Sequence, residues 1–368
     1  LACLSGAALP PLWLAFHFGL LQAPLLARPP LQWHGHEMFF GFGWAVLGGF
    51  LLTASKNWVG IRGYHGPVLA FLAAGWLLDR VAMAFGATWP PLLFIAASQL
   101  FLIMIVCLLS WTLLRHHKQD SYPDNWIFLL ALPAFIVAKQ LILDPERFAA
   151  GVAMATALFR VAFLVMLERT LTQFMKGLFQ ASLLRHPVLD HAIKLLALAL
   201  VVGAWLPPTL TAAIEILLAT LLAVRFAFWH PRLGLSRLDI GIMYLGYLAL
   251  VAQLLINFVG SFVPFVWVGS VSVHVFTFGV MGLIIPAMIV RISNGHTGRK
   301  VVFGAADKAA LWLMIAAFVV RVLVPQLAPE RYPMWIHLAA TCWTLGFGLL
   351  GWRYIPFLLA PRVDGKEH

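Results

Sequence analysis

Apolar runs of about twenty residues follow one another from end to end of this 368-residue chain, with only short polar interruptions between them. A run of that length makes a helix able to cross roughly 30 Å of hydrocarbon at 1.5 Å per residue. In lipid the backbone has no water to bond, so a helix is the form such a run must take. Spans fall near residues 2–26, 34–55, 66–86, 91–114, 125–143, 149–168, 191–206, 208–228, 239–262, 265–290, 305–325 and 333–359. The expected fold class is all-α, a polytopic integral membrane protein of about 12 transmembrane helices. Only 11% of the residues are charged and 62% are hydrophobic, against about 25% charged in soluble domains. No segment is left over for an aqueous domain, and residues 1–368 read as a single transmembrane helical domain. The sequence opens on Leu1 inside an apolar run, so its N-terminus is expected to be incomplete; that run is not read as a cleaved signal peptide.

Turn chemistry marks the breaks at Arg28-Pro29-Pro30, Trp89-Pro90-Pro91, Leu206-Pro207-Pro208 and Asn294-Gly295. The even-numbered connections and the C-terminus hold most cations, from Lys56 and Arg62 through Arg299, Lys300 and Lys308 to Arg362 and Lys366. The odd-numbered ones hold only Arg28, Arg147 and Arg331. By the positive-inside rule both termini are cytoplasmic. The net charge of +11 is then matched to inner-leaflet phospholipid, and no basic-aromatic surface suited to nucleic acid is visible.

Several chemistries are excluded. Cys3, Cys107 and Cys342 stand singly in separate spans, with no spacing for covalent haem or an iron-sulfur cluster. His36-Glu37 is not a zinc-protease helix, because the position four after His36 is Phe40. No phosphate-binding loop, nucleophile elbow or clear repeat is present.

The second span opens on Trp33-His34-Gly35-His36-Glu37-Met38, two imidazoles, a carboxylate and a thioether at the mouth of a wholly apolar segment. Ionisable groups in a bilayer need a metal, a charge partner or a proton path to offset their cost. Depth can be counted from the basic residue at each span's cytoplasmic end. By that count His274 lies about 25 Å above Arg291, His337 about 24 Å above Arg353, and His36 about 30 Å above Lys56. Arg80, Lys139 and Arg321 come out near 20 Å. Few acids share that depth, chiefly Glu37, Asp79 and Asp144. A ligand that brings its own carboxylates is therefore an economical partner, and haem b brings two propionates. Imidazoles for an axial bond with arginines for propionates form the constellation that non-covalent haem requires.

Each group also has a plainer reading. His34 and His36 point about 200° apart on a regular helix, so either the helix starts after them or they serve different partners. Met38 shares a face with His34, and a His/Met pair suits copper, which makes His34, His36, Met38 and His274 the candidate metal ligands. His337 could anchor its helix at the interface with Trp335. Arg80 could pair with Asp79, and Arg321 with another group of the protein. Gly279 and Gly282, after His274, and Gly41, after His34, could flank a flat macrocycle or simply allow close helix packing. Glu37 and Glu215 could relay protons, or Glu215 could be a neutral acid bonded to a neighbour. His17 reads as an ordinary hydrogen-bonding residue.

Trp33-His34-Gly35-His36-Glu37-Met38-Phe39-Phe40-Gly41-Phe42, followed by Gly49-Phe50-Leu51-Leu52-Thr53-Ala54 and Asn57-Trp58-x-Gly60, resembles the signature of the NnrS family of bacterial membrane proteins. The resemblance continues at Asp79-Arg80, His274-x-Phe-Thr-x-Gly279, Arg291-x-Ser293-x-Gly295-His296-Thr297-Gly298-Arg299 and Pro361-Arg362-x-Asp364-Gly365, in order over most of the chain. It implies a twelve-span, haem- and copper-containing protein of the bacterial cytoplasmic (inner) membrane, linked to the nitric oxide response and denitrification. Two stretches depart from the family pattern. Glu168-Arg169-Thr170-Leu171 keeps an Arg but lacks the Gly and Pro expected nearby. Met243-Tyr244-Leu245-Gly246-Tyr247 has Tyr244 where a family-like His would stand, so one metal would be absent or differently bound.

Two functional classes remain. In one, haem b, with copper the lesser expectation, binds or reduces nitric oxide as a haem-dependent oxidoreductase would, or passes electrons, from a donor such as quinol. His34, His36, His274, His337, Arg80 and Arg321 are its candidate cofactor-binding residues. In the other, the same polar groups form the substrate site of a transporter of a small or anionic solute.

Overall fold

The computed structural model describes residues 1–21, 26–264 and 266–365. Parts of three expectations lie outside them: the end of the first span at 22–25, the start of the tenth at Phe265, and Lys366. The described residues are helical throughout, with turns and short extended links between the helices. We number the helices α1 (Ala2–His17), α2 (Pro30–Trp58), α3 (Pro67–Thr88), α4 (Pro91–Arg115), α5 (Pro123–Leu143), α6 (Phe148–Phe179), α7 (Pro187–Trp205), α8 (Pro208–Ala227), α9 (Leu238–Gly260), α10 (Val271–His296), α11 (Ala305–Leu327) and α12 (Pro329–Leu359). All but α1 are long and apolar enough to cross a bilayer. At 16 residues α1 reaches only about 24 Å.

Proline sets the starts. Pro30, Pro67, Pro91, Pro187 and Pro208 each occupy the first turn of their helix, where the missing N–H costs nothing and the fixed φ suits the helix. The break expected at Asn294-Gly295 falls slightly later. Helix α10 runs through His296 and ends where Gly298 takes φ +73°. There the Arg299 N–H reaches back to Asn294 O at 2.9 Å, the wrapped ending that glycine makes easy. Helix α6 also runs well beyond its expected end near 168, carrying Glu168, Arg169 and Lys176 in its last turns.

The described residues divide into two compact units, one of residues 1–5 and 12–162, the other of 6–11 and 163–368. In the first, aromatic edges fill the core. Trp44, fully buried, meets Phe135 edge-on at 4.9 Å, and Phe135 meets Phe159 at 5.1 Å, the geometry favoured by ring quadrupoles. In the second, small residues bring helices together. A Cβ on Gly279 of α10 would stand 2.7 Å from Ala249 of α9, and one on Gly282 would stand 2.7 Å from Trp343 of α12. These two glycines therefore serve helix packing, not the flank of a flat ring.

Among the described residues three helices contain a π-helical segment, with one extra residue in the turn: Glu37–Gly43 in α2, Val275–Met281 in α10 and Val319–Leu323 in α11. Such turns leave ladder groups open to other partners and concentrate at functional positions. The three begin just after His36, begin just after His274, and contain Arg321.

Candidate functional site

In the first unit, α2 delivers His36 and Glu37, α3 delivers Asp79 and Arg80, and α5 delivers Lys139 to one buried cluster. His36, Asp79 and Lys139 are fully buried, and Glu37 nearly so. Arg80 Nη2 donates to Asp79 Oδ2 at 2.7 Å, and its Nε lies 3.0 Å from Glu37 Oε2. Lys139 Nζ donates to the same Asp79 oxygen at 2.7 Å and also to the Ser98 carbonyl. His36 Nδ1 sits 3.1 Å from Glu37 Oε1. Two carboxylates thus face two cations, and the charges cancel inside the fold, as a buried set must. The plainer reading of Arg80, a partner for Asp79, is what the geometry gives, with Glu37 added.

The backbone supports this cluster. The π turn exposes the Gly41 carbonyl, which the Trp76 indole N–H takes at 2.9 Å. The Trp76 ring in turn lies under Arg80, 5.2 Å from the guanidinium. Gly41 allows the close approach, because a Cβ there would collide with the Arg80 guanidinium and stand 2.8 Å from Glu37 Oε2. His36 Nε2 and Asp79 Oδ1, 3.8 Å apart, have no hydrogen-bond partner. Two donors are fewer than the three or four protein ligands of a zinc site, and no group of three or more His, Cys, Asp or Glu able to hold a metal occurs among the described residues.

His34 goes elsewhere. Helix α2 already includes both histidines, so they diverge to different partners. The His34 ring stacks on Trp13 at 4.4 Å, and Trp13 lies 5.0 Å from His17. Met38 is buried within the π turn.

The second unit holds His274, Arg321 and Tyr332, on α10, α11 and α12. His274 Nδ1 lies 2.7 Å from the Ser270 carbonyl, so Nδ1–H donates, and in the neutral ring the lone pair is on Nε2. Arg321 Nη2 stands 3.2 Å from Nε2 and 3.4 Å from Nδ1. Near-equal distances place the guanidinium beside the ring and not on one lone pair. No carboxylate lies within ion-pair distance of Arg321 among the described residues, and its guanidinium carbon is 5.7 Å from the Tyr332 ring. The loop before His274 is clasped to α11 by Gln326, which accepts from Val268 N and donates to Val268 O, both at 3.1 Å. Gly269, at φ +77°, lies flush against the Tyr332 hydroxyl. His337 is exposed on α12. Its neighbour Trp335 ties the start of that helix by donating to Ala328 O at 2.9 Å.

Glu215 is buried, and Asn257 Nδ2 donates to it at 2.9 Å. Ser272 donates to Asn257 Oδ1, and Gln253 Nε2 to Ser272 Oγ at 3.2 Å. This is the bonded-neighbour arrangement weighed for Glu215.

One cluster of the second unit escaped sequence reasoning. Glu168 receives Arg185, Lys194 Nζ at 2.8 Å and Arg225 Nη1 at 3.1 Å. Asp190 receives Arg185 Nε at 3.0 Å, and Tyr247 accepts from Arg225 Nε at 3.1 Å. By position in the sequence Lys194 and Arg225 fall with the cations at the ends of spans. Both lie inside helices α7 and α8 and are buried. The signal for this cluster was Glu168 itself, an acid inside a helical run.

A family model described as NnrS protein matches residues 1–362. A search of the curated proteins found no match. With essentially the whole described length covered and the signature residues in order, the chain belongs to the NnrS family.

Proposed function

We infer that this membrane protein holds haem b non-covalently, with His274 as an imidazole ligand, and takes part in the handling of nitric oxide. The observation that carries the reading is the short contact of His274 Nδ1 with Ser270 O. Histidines that ligate metals characteristically donate their other ring N–H to a carbonyl or carboxylate, which fixes the tautomer and aims the lone pair. The Gln326 clasp and the Gly269–Tyr332 contact hold the loop that supplies this acceptor. Arg321, beside the ring and without a carboxylate, suits a propionate. Haem would supply an iron that binds a diatomic ligand or passes single electrons, according to whether its other axial position is open or filled. Membership of the NnrS family supports the link to nitric oxide.

The other candidates fit less well. His36 is enclosed by two carboxylates that Arg80 and Lys139 already occupy. A copper site on His34, His36 and Met38 does not fit, because the two imidazoles face different neighbours. An anion transporter would need Arg80 and Lys139 available to its solute, and both are neutralised. The test is spectroscopic. Purified protein should show a Soret band that shifts on reduction and on adding nitric oxide. His274→Ala should remove it, while His337→Ala, on an exposed position, should leave it intact. A colourless protein, or a band that survives His274→Ala, overturns the reading. Metal analysis of the same sample checks copper.

A further inference from the structure

The starts of α9 and α11 leave a cleft of about 580 Å³ beside the extended link that precedes α11. Its polar wall carries Arg237, Asp239 and Lys308, and its apolar wall includes Val302, Phe303 and Trp312. The charges do not balance. Asp239 is shared by two arginines, accepting Arg237 Nε at 3.1 Å on one oxygen and Arg291 Nη2 at 2.7 Å on the other. Lys308 is exposed and has no ion-pair partner among the described residues. Two arginines thus share one carboxylate, and Lys308 on the same wall adds a further positive charge. Asp307, the other acid nearby, is already engaged: one oxygen meets Arg353 Nε at 3.1 Å and the Tyr354 hydroxyl, and the other caps α11 by accepting from Gly304 N at 2.8 Å.

The apolar wall is open to the surroundings. Val302 is 64% exposed and Trp312 59% exposed. Trp312 lies four residues after Lys308 on the same face of α11, about 6 Å farther along the axis. Both helices are of span length, so their starts mark the edge of the hydrocarbon. An unpaired ammonium at that edge, with an indole one turn deeper and an open apolar wall, matches a molecule with an anionic head and an acyl tail. A free anion would leave the apolar wall uncovered, and a zwitterionic lipid would not answer the excess charge.

We propose that this cleft binds one anionic glycerophospholipid, its phosphate between Lys308 and Arg237 and an acyl chain along Trp312 and Val302. The site is independent of the haem reading and stands or falls separately from it. The test uses the full chain, stripped of lipid in detergent and reconstituted in phosphatidylcholine nanodiscs doped with phosphatidylglycerol brominated in its acyl chains. Bromine quenches nearby tryptophans, and the difference between wild type and Trp312→Phe isolates Trp312 from the 15 tryptophans of the chain. Trp312 should be quenched at lower mole fractions of brominated phosphatidylglycerol than of brominated phosphatidylcholine. Lys308→Gln should raise the half-quenching mole fraction about fivefold, and Lys308→Arg should preserve it, with unchanged thermal unfolding in plain phosphatidylcholine. Equal quenching by the two lipids would show an unselective annulus and overturn the proposal. So would a Lys308→Gln variant that keeps the preference, or glycerol phosphate at millimolar concentration that abolishes it, since the latter would assign the site to a free anion.

Discussion

The cluster around Asp79 and the site around His274 each hold a histidine and an arginine beside a π-helical turn, yet one is closed and the other is not. At Asp79 the two carboxylates are each met by a cation, and the pairs are buried. At His274 the guanidinium of Arg321 has no acid beside it among the described residues, and the imidazole is only half-buried. Burial with matched charge is the signature of a group whose task is to keep helices in register. A cation without its anion in an apolar setting costs stability, and that cost is offset when a ligand supplies the missing charge. In this protein, then, depth in the membrane does not separate the two clusters; the matching of charge does.

The sharpest way to break that contrast is Asp79→Ala. It leaves Arg80 and Lys139 with too little negative charge in a buried place and should cost about 3–5 kcal/mol, read as lost folded yield and a lower Tm in detergent. An unchanged Tm would mean the cluster is not structural. Gly41→Ala comes next. Its Cβ must displace the Arg80 guanidinium, at about 1–3 kcal/mol, and thermal unfolding of the variant would measure it. In the second unit, Gln326→Leu removes both bonds to Val268 and should cost about 1–2 kcal/mol. Here the comparison is sharpened by a second readout, since haem retention should fall more than the change in Tm implies if the loop aims His274. His337→Ala should do least, within about 0.5 kcal/mol, with an unaltered absorption spectrum. A loss of colour in that variant would move the site along α12.

The architecture was legible because lipid imposes it. Apolar runs set the helix positions and proline set most of their starts, to within a few residues at Pro30, Pro91 and Pro208. The exposed cost of Arg80 and Lys139 could also be read from depth, and Asp79 was among the few acids available to them. What stayed hidden depended on which helices touch. Nothing in the sequence says that Glu168 of α6 reaches Lys194 of α7 and Arg225 of α8, because a cation near a span's end reads as a boundary marker whether it faces headgroups or turns inward. The divergence of His34 and His36 was legible from helical period alone. The roles of Ser270, Gln326 and Tyr332 were not, since a loop's clasp leaves no periodic trace.

The wide turn at Val275–Met281 has a consequence for how α10 can change. One additional residue there shifts the phase of everything before it by about 100° relative to everything after it. Deleting a single residue anywhere within that stretch would give an uninterrupted helix of similar composition and hydropathy, and would swing the imidazole of His274 away from Arg321. The direction in which that ring faces is therefore written as a count of residues, with no particular side chain responsible for it.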